Sequence, residues 1–379
     1  MHFEFATATR IVFGEGTAAT VPELAGGLGR WPLVVTGSKA ERADWLISAL
    51  GAESFAVAGE PTVELVRSGA RQARQAGCDV VIAVGGGSVI DAGKAIAAIA
   101  TNGGEPLDFL EVVGKGRAME AAPLPFIAVP TTAGTGSEVT RNAVLGSTEH
   151  GVKASLRSPS MLPRVAVVDP ELTYGLPPAI TANTGLDALT QLIEPYVCSR
   201  ANPLVDALCV EGIGRAAGAL RRVYHDGSDQ EARREMALAS LLGGLALANA
   251  GLGVVHGFAA PLGGSWKAPH GALCAALLPH GIAANIAALR ARAPQHPALD
   301  RYAAVARLLT GRNEAQAEDG IEWLRTLVDE LKIPSLRGWG IGEKDLPAVV
   351  EKAARASSMK ANPIVLTQEE LLAVVTAAL

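Results

Sequence analysis

Residues 79–88 read Asp-Val-Val-Ile-Ala-Val-Gly-Gly-Gly-Ser, and this stretch decides the fold. Residues 80–84 are all apolar, and they lead directly into three glycines. A short continuous apolar run that ends in glycines is typical of a parallel strand buried on both faces. Residues 89–101 then have the composition of a helix. The stretch therefore predicts a strand, a tight turn and a helix of a parallel α/β sheet.

The same alternation continues on both sides of this stretch. Helices are predicted at 39–50 and 63–77, and residues 3–7 and 10–13 alternate as strands do. Further buried strands are predicted from apolar runs at 32–36, 54–58, 126–129 and 165–169.

The strand signals stop at residues 170–178, which contain three prolines and one glycine. Helical periodicity dominates the rest of the chain, and a length of 379 residues suggests two domains. We therefore expect an α/β domain at 1–180 and an all-helical domain at 181–379. The helices are predicted at 180–197, 203–222, 230–250, 271–290, 299–310, 317–331, 343–356 and 367–379.

Composition narrows the class of protein. The net charge is −5 with both signs interspersed, which gives no basic surface for nucleic acid and no polybasic patch for a membrane. The four cysteines are scattered without a Cys-x-x-Cys pair, which favours reduced thiols in a cytoplasmic protein. The first 20 residues have no signal-peptide pattern. Residues 237–255 form an uncharged run long enough to span a bilayer, and we interpret them as a buried helix because of their Ala, Gly, Ser and Asn content.

Potential metal ligands occur in the predicted helical half. His256 and His270 are fourteen residues apart, and each is followed by a glycine. Asp187 and Gln191 are four residues apart, so a helix places both on one face. Imidazole and carboxylate ligands suit zinc and ferrous iron alike. A histidine in an apolar run is also commonly a core residue, so these residues alone leave both interpretations open.

Two loops at predicted strand ends suit a nucleotide. Gly85–Ser88 follows a strand and opens a helix, where backbone N–H groups and the helix N-terminus favour a phosphate. The loop departs from the G-x-G-x-x-G pattern at Ile90, and a tight turn without a ligand would also explain it. Thr131–Glu138 follows another strand, and its hydroxyls suit a ribose and a nicotinamide. Two such loops at successive strand ends favour a cofactor cleft.

These blocks, in this order, resemble the signatures of the iron-containing (group III) alcohol dehydrogenase family, which includes maleylacetate reductase-like members. The resemblance implies a dehydroquinate synthase-like fold with a dinucleotide-binding domain at 1–180 and a metal- and substrate-binding domain at 181–379. It rests on Gly85–Ser88 with Asp91 and Lys94, on Pro130–Glu138, Gly185–Gln191, Val255–Gly264 and Pro269–Gly271, and on Asn362 with Pro363.

The resemblance also implies a cofactor site for NAD(P)(H). Asp91 and Lys94 are features of the cleft in similar proteins, although a cap and a salt bridge would explain them too. Gly37 stands where an acidic residue would repel a 2′-phosphate, so we expect NADP(H) to be tolerated or preferred. Lys39 and Arg42 would suit that phosphate, or they are solvated helix charges. The implied cofactor residues are Gly37, Ser38, Lys39, Gly86, Gly87, Ser88, Asp91, Thr131, Thr132, Ser137 and Lys153.

For the metal, the resemblance implies one divalent ion, Fe²⁺ or Zn²⁺. Family members usually carry histidine at the position of Gln191, whose neutral amide is a weaker ligand, so we expect weak binding. Many members also have a histidine at Ala260 that is thought to help proton transfer. Its absence leaves the catalytic group unknown, and we interpret His280 as a capping residue rather than a substitute. The implied metal ligands are Asp187, Gln191, His256 and His270.

The implied function is the interconversion of a small alcohol and its aldehyde or ketone. A maleylacetate reductase-type reaction on an oxo acid is an alternative, and so is a nucleotide-binding homologue that has lost catalysis. A dehydroquinate synthase activity is disfavoured because no Lys and Arg cluster surrounds the metal motifs. Besides a small-molecule substrate, we expect a second copy of the chain as partner, since the apolar alternation at 3–13 would pair with another strand in a homodimer or larger oligomer.

Overall fold

The computed structural model describes residues 2–147, 150 and 152–379. The chain divides into two compact units. A sheet unit comprises Ala6–Thr132 and Gly136–Thr173, and a helical unit comprises Met1–Phe5, Ala133–Thr135 and Tyr174–Leu379. The predicted class, a parallel α/β part followed by a helical part, is confirmed. The assignment of cofactor binding to 1–180 and of metal and substrate binding to 181–379 stays a prediction.

The sheet unit is built on a parallel sheet with strand order β1-β8-β5-β4-β2-β3. Strands β6 and β7 form a separate antiparallel pair. The strands are β1 Arg10–Phe13, β2 Pro32–Gly37, β3 Glu53–Val57, β4 Val80–Gly85, β5 Phe126–Pro130, β6 Asn142–Ser147, β7 Val152–Arg157 and β8 Val165–Val168.

The apolar run that predicted β4 is explained by burial on both faces. Val81 and Ala83 belong to the core on one face, whereas Ile82 and Val84 belong to the core on the other. Successive side chains of a strand point to opposite faces, so a strand covered on both sides needs apolar residues at every position. The helices of this unit are α1 Val21–Gly26, α2 Asp44–Leu50, α3 Val63–Gln75, α4 Gly87–Asn102 and α5 Pro106–Phe109.

Helix α4 packs closely on the sheet because Gly93 has no side chain. A Cβ at Gly93 would lie 2.8 Å from Phe126 and 2.9 Å from Ala83, both of which are strand residues. The first residue of α4 follows Gly86, so the helix starts directly at the end of β4. The close-packing glycine therefore lies further along the helix than the G-x-G-x-x-G pattern requires, which explains why Ile90 is compatible with this fold.

Helices α7 and α8 of the helical unit start with local side-chain caps. Asn202 accepts a hydrogen bond from the backbone N–H of Val205 at 3.2 Å, and Asp229 accepts one from Ala232 at 2.9 Å. Such caps satisfy N–H groups that a helix start leaves free. The helices of this unit are α6 Pro178–Val197, α7 Pro203–His225, α8 Gln230–Asn249, α9 Val254–Ser265, α10 His270–Arg292, α11 Ala298–Thr310, α12 Ala317–Glu330, α13 Leu346–Arg355 and α14 Gln368–Ala377.

Two predictions of secondary structure were wrong. Residues 3–7 carry no strand, so only the part at 10–13 of the alternating segment pairs in the sheet. The run 237–255 is not one helix, because α8 ends at Asn249 and α9 begins at Val254 at an angle of 95°. The β6–β7 pair and helix α9 were not predicted. Helix α10 is long and apolar enough to cross a membrane, but 78% of its apolar window is buried, as in a core helix.

Candidate metal centre

Helix α6 contributes three polar side chains to one buried cluster. Asp187, Gln191 and Glu194 occupy positions i, i+4 and i+7, which lie on the same face of a helix. All three are buried, with at most 5% of each residue exposed. A helix face that buries two carboxyl groups and an amide is costly unless these groups have partners. Their partners come from α9, from α10 and from the loop at 133–135.

His256 is held at the start of α9 by side chains from distant parts of the chain. Gly253 provides no side-chain cap to this helix. Instead, the backbone N–H of Val254 donates to Oδ1 of Asn362 at 3.0 Å, and that of Val255 donates to Oε1 of Glu194 at 2.7 Å. Nδ1 of His256 donates to Oε2 of Glu194 at 2.7 Å. The carboxylate of Glu194 thereby fixes the ring and directs Nε2 of His256 away from itself.

His270 is the first residue of α10, and the glycine after it allows the helix to start there. A Cβ at Gly271 would lie 2.2 Å from the backbone oxygen of Asn183 on α6. No side chain can occupy that space, so the two helices approach each other only with glycine at this position. The close approach brings His270 to within 3.7 Å of Asp187, measured from Nε2 to Oδ1.

Two of the converging ligand atoms, on Asp187 and His256, lack hydrogen-bond partners in the described chain. Nε2 of His256 lies 3.5 Å from Oδ1 of Asp187, and the two imidazole rings are 5.4 Å apart between centroids. Within the described part of the chain, neither Oδ1 of Asp187 nor Nε2 of His256 has a hydrogen-bond partner. The other oxygen of Asp187 accepts from Oγ1 of Thr135 at 3.0 Å. Buried polar atoms are rarely left unpaired in this way unless a ligand completes them.

The charges in the cluster reinforce one another. Burial raises the pKa of Asp187, but the nearby His270 and His256 and the Thr135 hydroxyl outweigh it and lower that pKa to about 2. Burial lowers the pKa of His256, but Cys274, Asp187 and Glu194 outweigh it and raise that pKa well above 6.5. The carboxylates and the thiol therefore favour a proton on the imidazole of His256. A metal ion would displace that proton.

Gln191 makes a contact that differs from those of the histidines. Its Nε2 donates to the backbone oxygen of Gly134 at 3.2 Å, and that oxygen also accepts from Oγ of Ser240 at 3.1 Å. Its Oε1 has no hydrogen-bond partner among the residues that the structure describes. One end of the amide is thus engaged in the loop at 133–135, whereas the other end is available.

Within the sheet unit, the predicted cofactor loops lie at the carboxyl ends of neighbouring strands. Gly37 ends β2, Gly85 ends β4 and the Thr131–Thr132 segment follows β5. From β2 the chain continues to β3 on one side, and from β4 to β5 on the other. This is a topological switch point, where open α/β sheets bind ligands. A Cβ at Gly86 would lie 3.4 Å from the side chain of Thr132, so these two loops are adjacent.

Other residues predicted for the cofactor site are engaged in ion pairs and hydrogen bonds of the sheet unit. Nζ of Lys94 is buried, lies 3.2 Å from Oδ1 of Asp91 and donates to the backbone oxygen of Ser137 at 3.0 Å. Oδ2 of Asp91 accepts from the N–H of Val144 on β6 at 3.0 Å. Lys153 on β7 pairs with Glu60 at 2.5 Å. Ser38 and Lys39 follow β2 and are exposed.

Two residues named from the sequence lie outside the metal cluster. Ala260 is exposed and lies one turn after His256 on α9. His280 lies inside α10 rather than at a cap, which corrects that interpretation, and ten residues along a helix place it about 15 Å from His270. Sequence reasoning missed Glu194, although its i+7 spacing from Asp187 was a usable signal. It also missed Cys274, one turn after His270 on α10.

The chain is similar to known dehydrogenases over most of its length. Alcohol dehydrogenase 4 of Saccharomyces cerevisiae is 38% identical over 316 residues, 83% of this chain and 80% of that protein. The 1,3-propanediol dehydrogenase of Klebsiella pneumoniae is 40% identical over 315 residues, 82% of this chain and 78% of that protein. A crystal structure of 1,3-propanediol oxidoreductase matches with a TM-score of 0.92 at 35% identity and covers 100% of both chains.

Sequence profiles cover almost the entire chain. The profile described as iron-containing alcohol dehydrogenase matches residues 8–170, and that of the C-terminal part of the same family matches residues 181–379. The resemblance predicted from the sequence motifs is thereby confirmed. The chain belongs to the iron-containing alcohol dehydrogenase family and is an oxidoreductase of that family.

Proposed function

We propose that this protein is an NAD(P)-dependent, metal-dependent dehydrogenase in which Asp187, His256 and His270 bind one divalent ion. The observation that carries the proposal is the convergence of Oδ1 of Asp187 and Nε2 of His256, both buried and without hydrogen-bond partners in the described chain. An anionic oxygen and imidazole nitrogens at this separation are the ligand types of zinc and ferrous iron. The residues present therefore fit the metal that the family uses.

Glu194 and Thr135 hold two of the ligands in position to bind the ion. Glu194 binds Nδ1 of His256 and leaves the Nε2 lone pair for the ion, which is the usual arrangement behind a metal-bound histidine. Thr135 binds one oxygen of Asp187 and leaves the other for the ion. When bound, the ion would supply Lewis-acid polarisation of a substrate oxygen.

The exposed side of the cluster is where the substrate would enter. The side chain of His270 is 38% exposed, whereas those of His256 and Asp187 are 5% and 4% exposed. A small molecule can approach only from the side that is open, so its oxygen would arrive next to His270. The buried side then excludes water from behind the ligands.

For the cofactor, we propose that the start of α4 binds the pyrophosphate. Gly86, Gly87 and Ser88 bring backbone N–H groups to the carboxyl end of β4, and the helix N-terminus favours an anion. Thr131 and Thr132 on the adjacent loop would contact the ribose and nicotinamide. The cofactor would supply the hydride.

Lys94 has a positioning role in this proposal. It links α4 to Ser137, and it also donates to Oγ1 of Thr140 at 2.9 Å. These bonds hold the loop after β5 against α4, the helix that begins in the cofactor loop Gly85–Ser88. Asp91 then acts through Lys94 and β6 rather than by contact with the cofactor.

The relatives support a small alcohol and its aldehyde or ketone as the reactants. One relative is named an alcohol dehydrogenase, and two are named for 1,3-propanediol. We further propose that NADP(H) is accepted, because Gly37 presents no carboxylate to a 2′-phosphate. A homo-oligomer and a cytoplasmic location complete the proposal. For the oligomer, β1 is an edge strand of the sheet in the described part of the chain, and an edge strand can pair with a strand of a second copy.

The proposal is tested by measuring NADH and NADPH oxidation with a panel of small aldehydes before and after removal of metal by a chelator. We expect activity that disappears on chelation and returns with Fe²⁺ or Zn²⁺. His270→Ala should not regain activity, because the loss of an imidazole ligand weakens the binding of the ion. Full activity in metal-free wild type would contradict the metal role. Inactivity of the metal-loaded wild type towards every aldehyde would instead favour a homologue that has lost catalysis.

A further inference from the structure

A fourth potential ligand atom lies at the metal cluster on a residue that the family motifs do not include. Cys274 follows His270 by four residues on α10, so both side chains lie on one face of that helix. Its Sγ is 3.6 Å from Nε2 of His270. The four ligand atoms of Asp187, His256, His270 and Cys274 all lie within 4.8 Å of one another.

The separations match those of ligands around a tetrahedral ion. Bonds of about 2.0–2.3 Å to oxygen, nitrogen and sulfur place neighbouring ligand atoms about 3.3–3.8 Å apart. The measured separations are 3.5 Å from Asp187 to His256, 3.7 Å from Asp187 to His270 and 3.6 Å from His270 to Cys274. These three pairs of ligand atoms need almost no rearrangement to bind one ion between them.

The competing ligand at the position of the missing histidine is Gln191. Its amide nitrogen is already bound to the oxygen of Gly134, and its free oxygen is a neutral donor. A cysteine thiol that gives up its proton to solvent becomes an anionic, soft ligand, which binds zinc more strongly than an amide does. Cys274 is fully buried, so its thiol faces the cluster and the packed helix rather than bulk water.

We propose that Cys274 is the fourth metal ligand of this chain and that its thiolate replaces the imidazole lost at Gln191, giving a site that prefers zinc to iron. The inference rests on the proposed metal centre and adds to it the identity of one ligand and the class of ion. The substrate oxygen then takes a fifth position, on the exposed side next to His270. The thiolate also makes the site sensitive to oxidants, which would remove that ligand.

The test uses the full-length protein stripped of metal and titrated with Co²⁺ as a spectroscopic probe and with Zn²⁺ in competition with a chromophoric chelator. A thiolate bound to Co²⁺ gives a charge-transfer absorption in the near ultraviolet, which imidazole, carboxylate and amide ligands do not give. The variants are Cys274→Ser and Cys274→Ala, with Gln191→Ala for the competing ligand. Cys198→Ser is the matched control, since Cys198 is a buried thiol of the same unit and a serine oxygen can still accept from the N–H of Arg200.

We expect one equivalent of Co²⁺ with the charge-transfer absorption in wild type, Cys198→Ser and Gln191→Ala. Both Cys274 variants should lack the absorption and bind Zn²⁺ at least about 10-fold more weakly. An absorption that persists in the Cys274 variants would overturn the inference, and so would one equivalent of Co²⁺ bound by wild type without it. Either result would leave the proposed metal centre intact. Wild type that binds no Co²⁺ would overturn the metal centre itself and the inference with it.

Discussion

The carboxylate of Glu194 joins the start of α9 to the candidate metal centre. Its Oε2 accepts from Nδ1 of His256 at 2.7 Å, while its Oε1 accepts from the backbone N–H of Val255 at the same distance. One side chain thus caps a helix and orients a ligand carried by that helix. The arrangement couples the folding of the α9 N-terminus to the geometry of the site.

Glu194→Gln should weaken metal binding. The neutral amide can keep the shape of the side chain, but it removes the negative charge that raises the basicity of the histidine. We expect metal affinity to fall by about 10–100-fold, which is the usual effect of losing a partner behind a metal-bound histidine. Competition with a chromophoric chelator measures it. Glu211→Gln, which alters a surface ion pair with Arg215, is the control, and equal affinities in the two variants would contradict the role of Glu194.

Gln191→His should tighten metal binding. An imidazole at this position provides a stronger ligand than an amide, and Gln191 already lies on the same face of α6 as Asp187. Turnover need not rise, because a filled position can compete with the substrate oxygen. Metal content after dialysis and the rate of cofactor oxidation should be measured together. A lower metal content than in wild type would show that the new ring does not reach the ion.

Gly271→Ala should disrupt the site through the backbone. The added Cβ would meet the oxygen of Asn183 at 2.2 Å, so the start of α10 must move and His270 moves with it. We expect a loss of about 1–3 kcal/mol in the free energy of unfolding and a lower metal content. Gly214→Ala on α7 is the matched control, because its Cβ meets nothing within 4 Å. That variant should be stabilised by about 0.5–1 kcal/mol, and a similar gain at Gly271 would refute the close approach.

Gly37→Asp should shift the cofactor preference towards NADH. The site accepts a side chain, since a Cβ there meets only Cγ2 of Val89 at 3.9 Å. A carboxylate would bind the 2′-hydroxyl of NADH and repel the 2′-phosphate of NADPH. We expect the ratio of kcat/KM for NADH to that for NADPH to rise by a factor that corresponds to about 1–3 kcal/mol. If wild type strongly prefers NADH and the ratio is unchanged in the variant, the ribose does not lie at Gly37.

Glu138→Gln should change how stability depends on pH. Burial raises the pKa of Glu138 from 4.5 to about 7, against the opposing effects of a backbone hydrogen bond and Lys94. A carboxyl with a raised pKa in the folded state stabilises the fold fully below about pH 4.5, and that contribution is lost as the pH rises through 7. The variant should therefore gain stability relative to wild type between pH 5 and pH 8, by about 3 kcal/mol at most.

Thermal unfolding at both pH values measures this difference. Glu322→Gln is the control, because the side chain of Glu322 is 72% exposed and should show little change between the two conditions. A relative stability of Glu138→Gln that does not vary with pH would mean that this carboxyl is ionised in the folded protein throughout the range.

The sequence alone was sufficient for features that depend on neighbouring residues. The run at 79–88 predicted a strand, a turn and a helix, and β4 and α4 confirm it, because a strand covered on both faces must be apolar throughout. The same local logic placed α6–α8 and α10–α14 of the second half to within a few residues, but it did not predict α9. It failed at 3–7, where alternating residues carry no strand, since pairing depends on a partner that local sequence cannot specify.

Only the tertiary structure decided how the candidate site is assembled. Glu194 and Asn362 cap α9 from positions 61 and 108 residues away in sequence from the groups they bind, and no local pattern marks such contacts. Cys274 joins the cluster because Gly271 lets α10 start against α6, which is a fact of packing rather than of composition. The sequence determines which chemical groups are available, and the packing of the helices determines which of these groups lie within contact distance. The reason is that side-chain contacts over long sequence separations depend on the complete packed core.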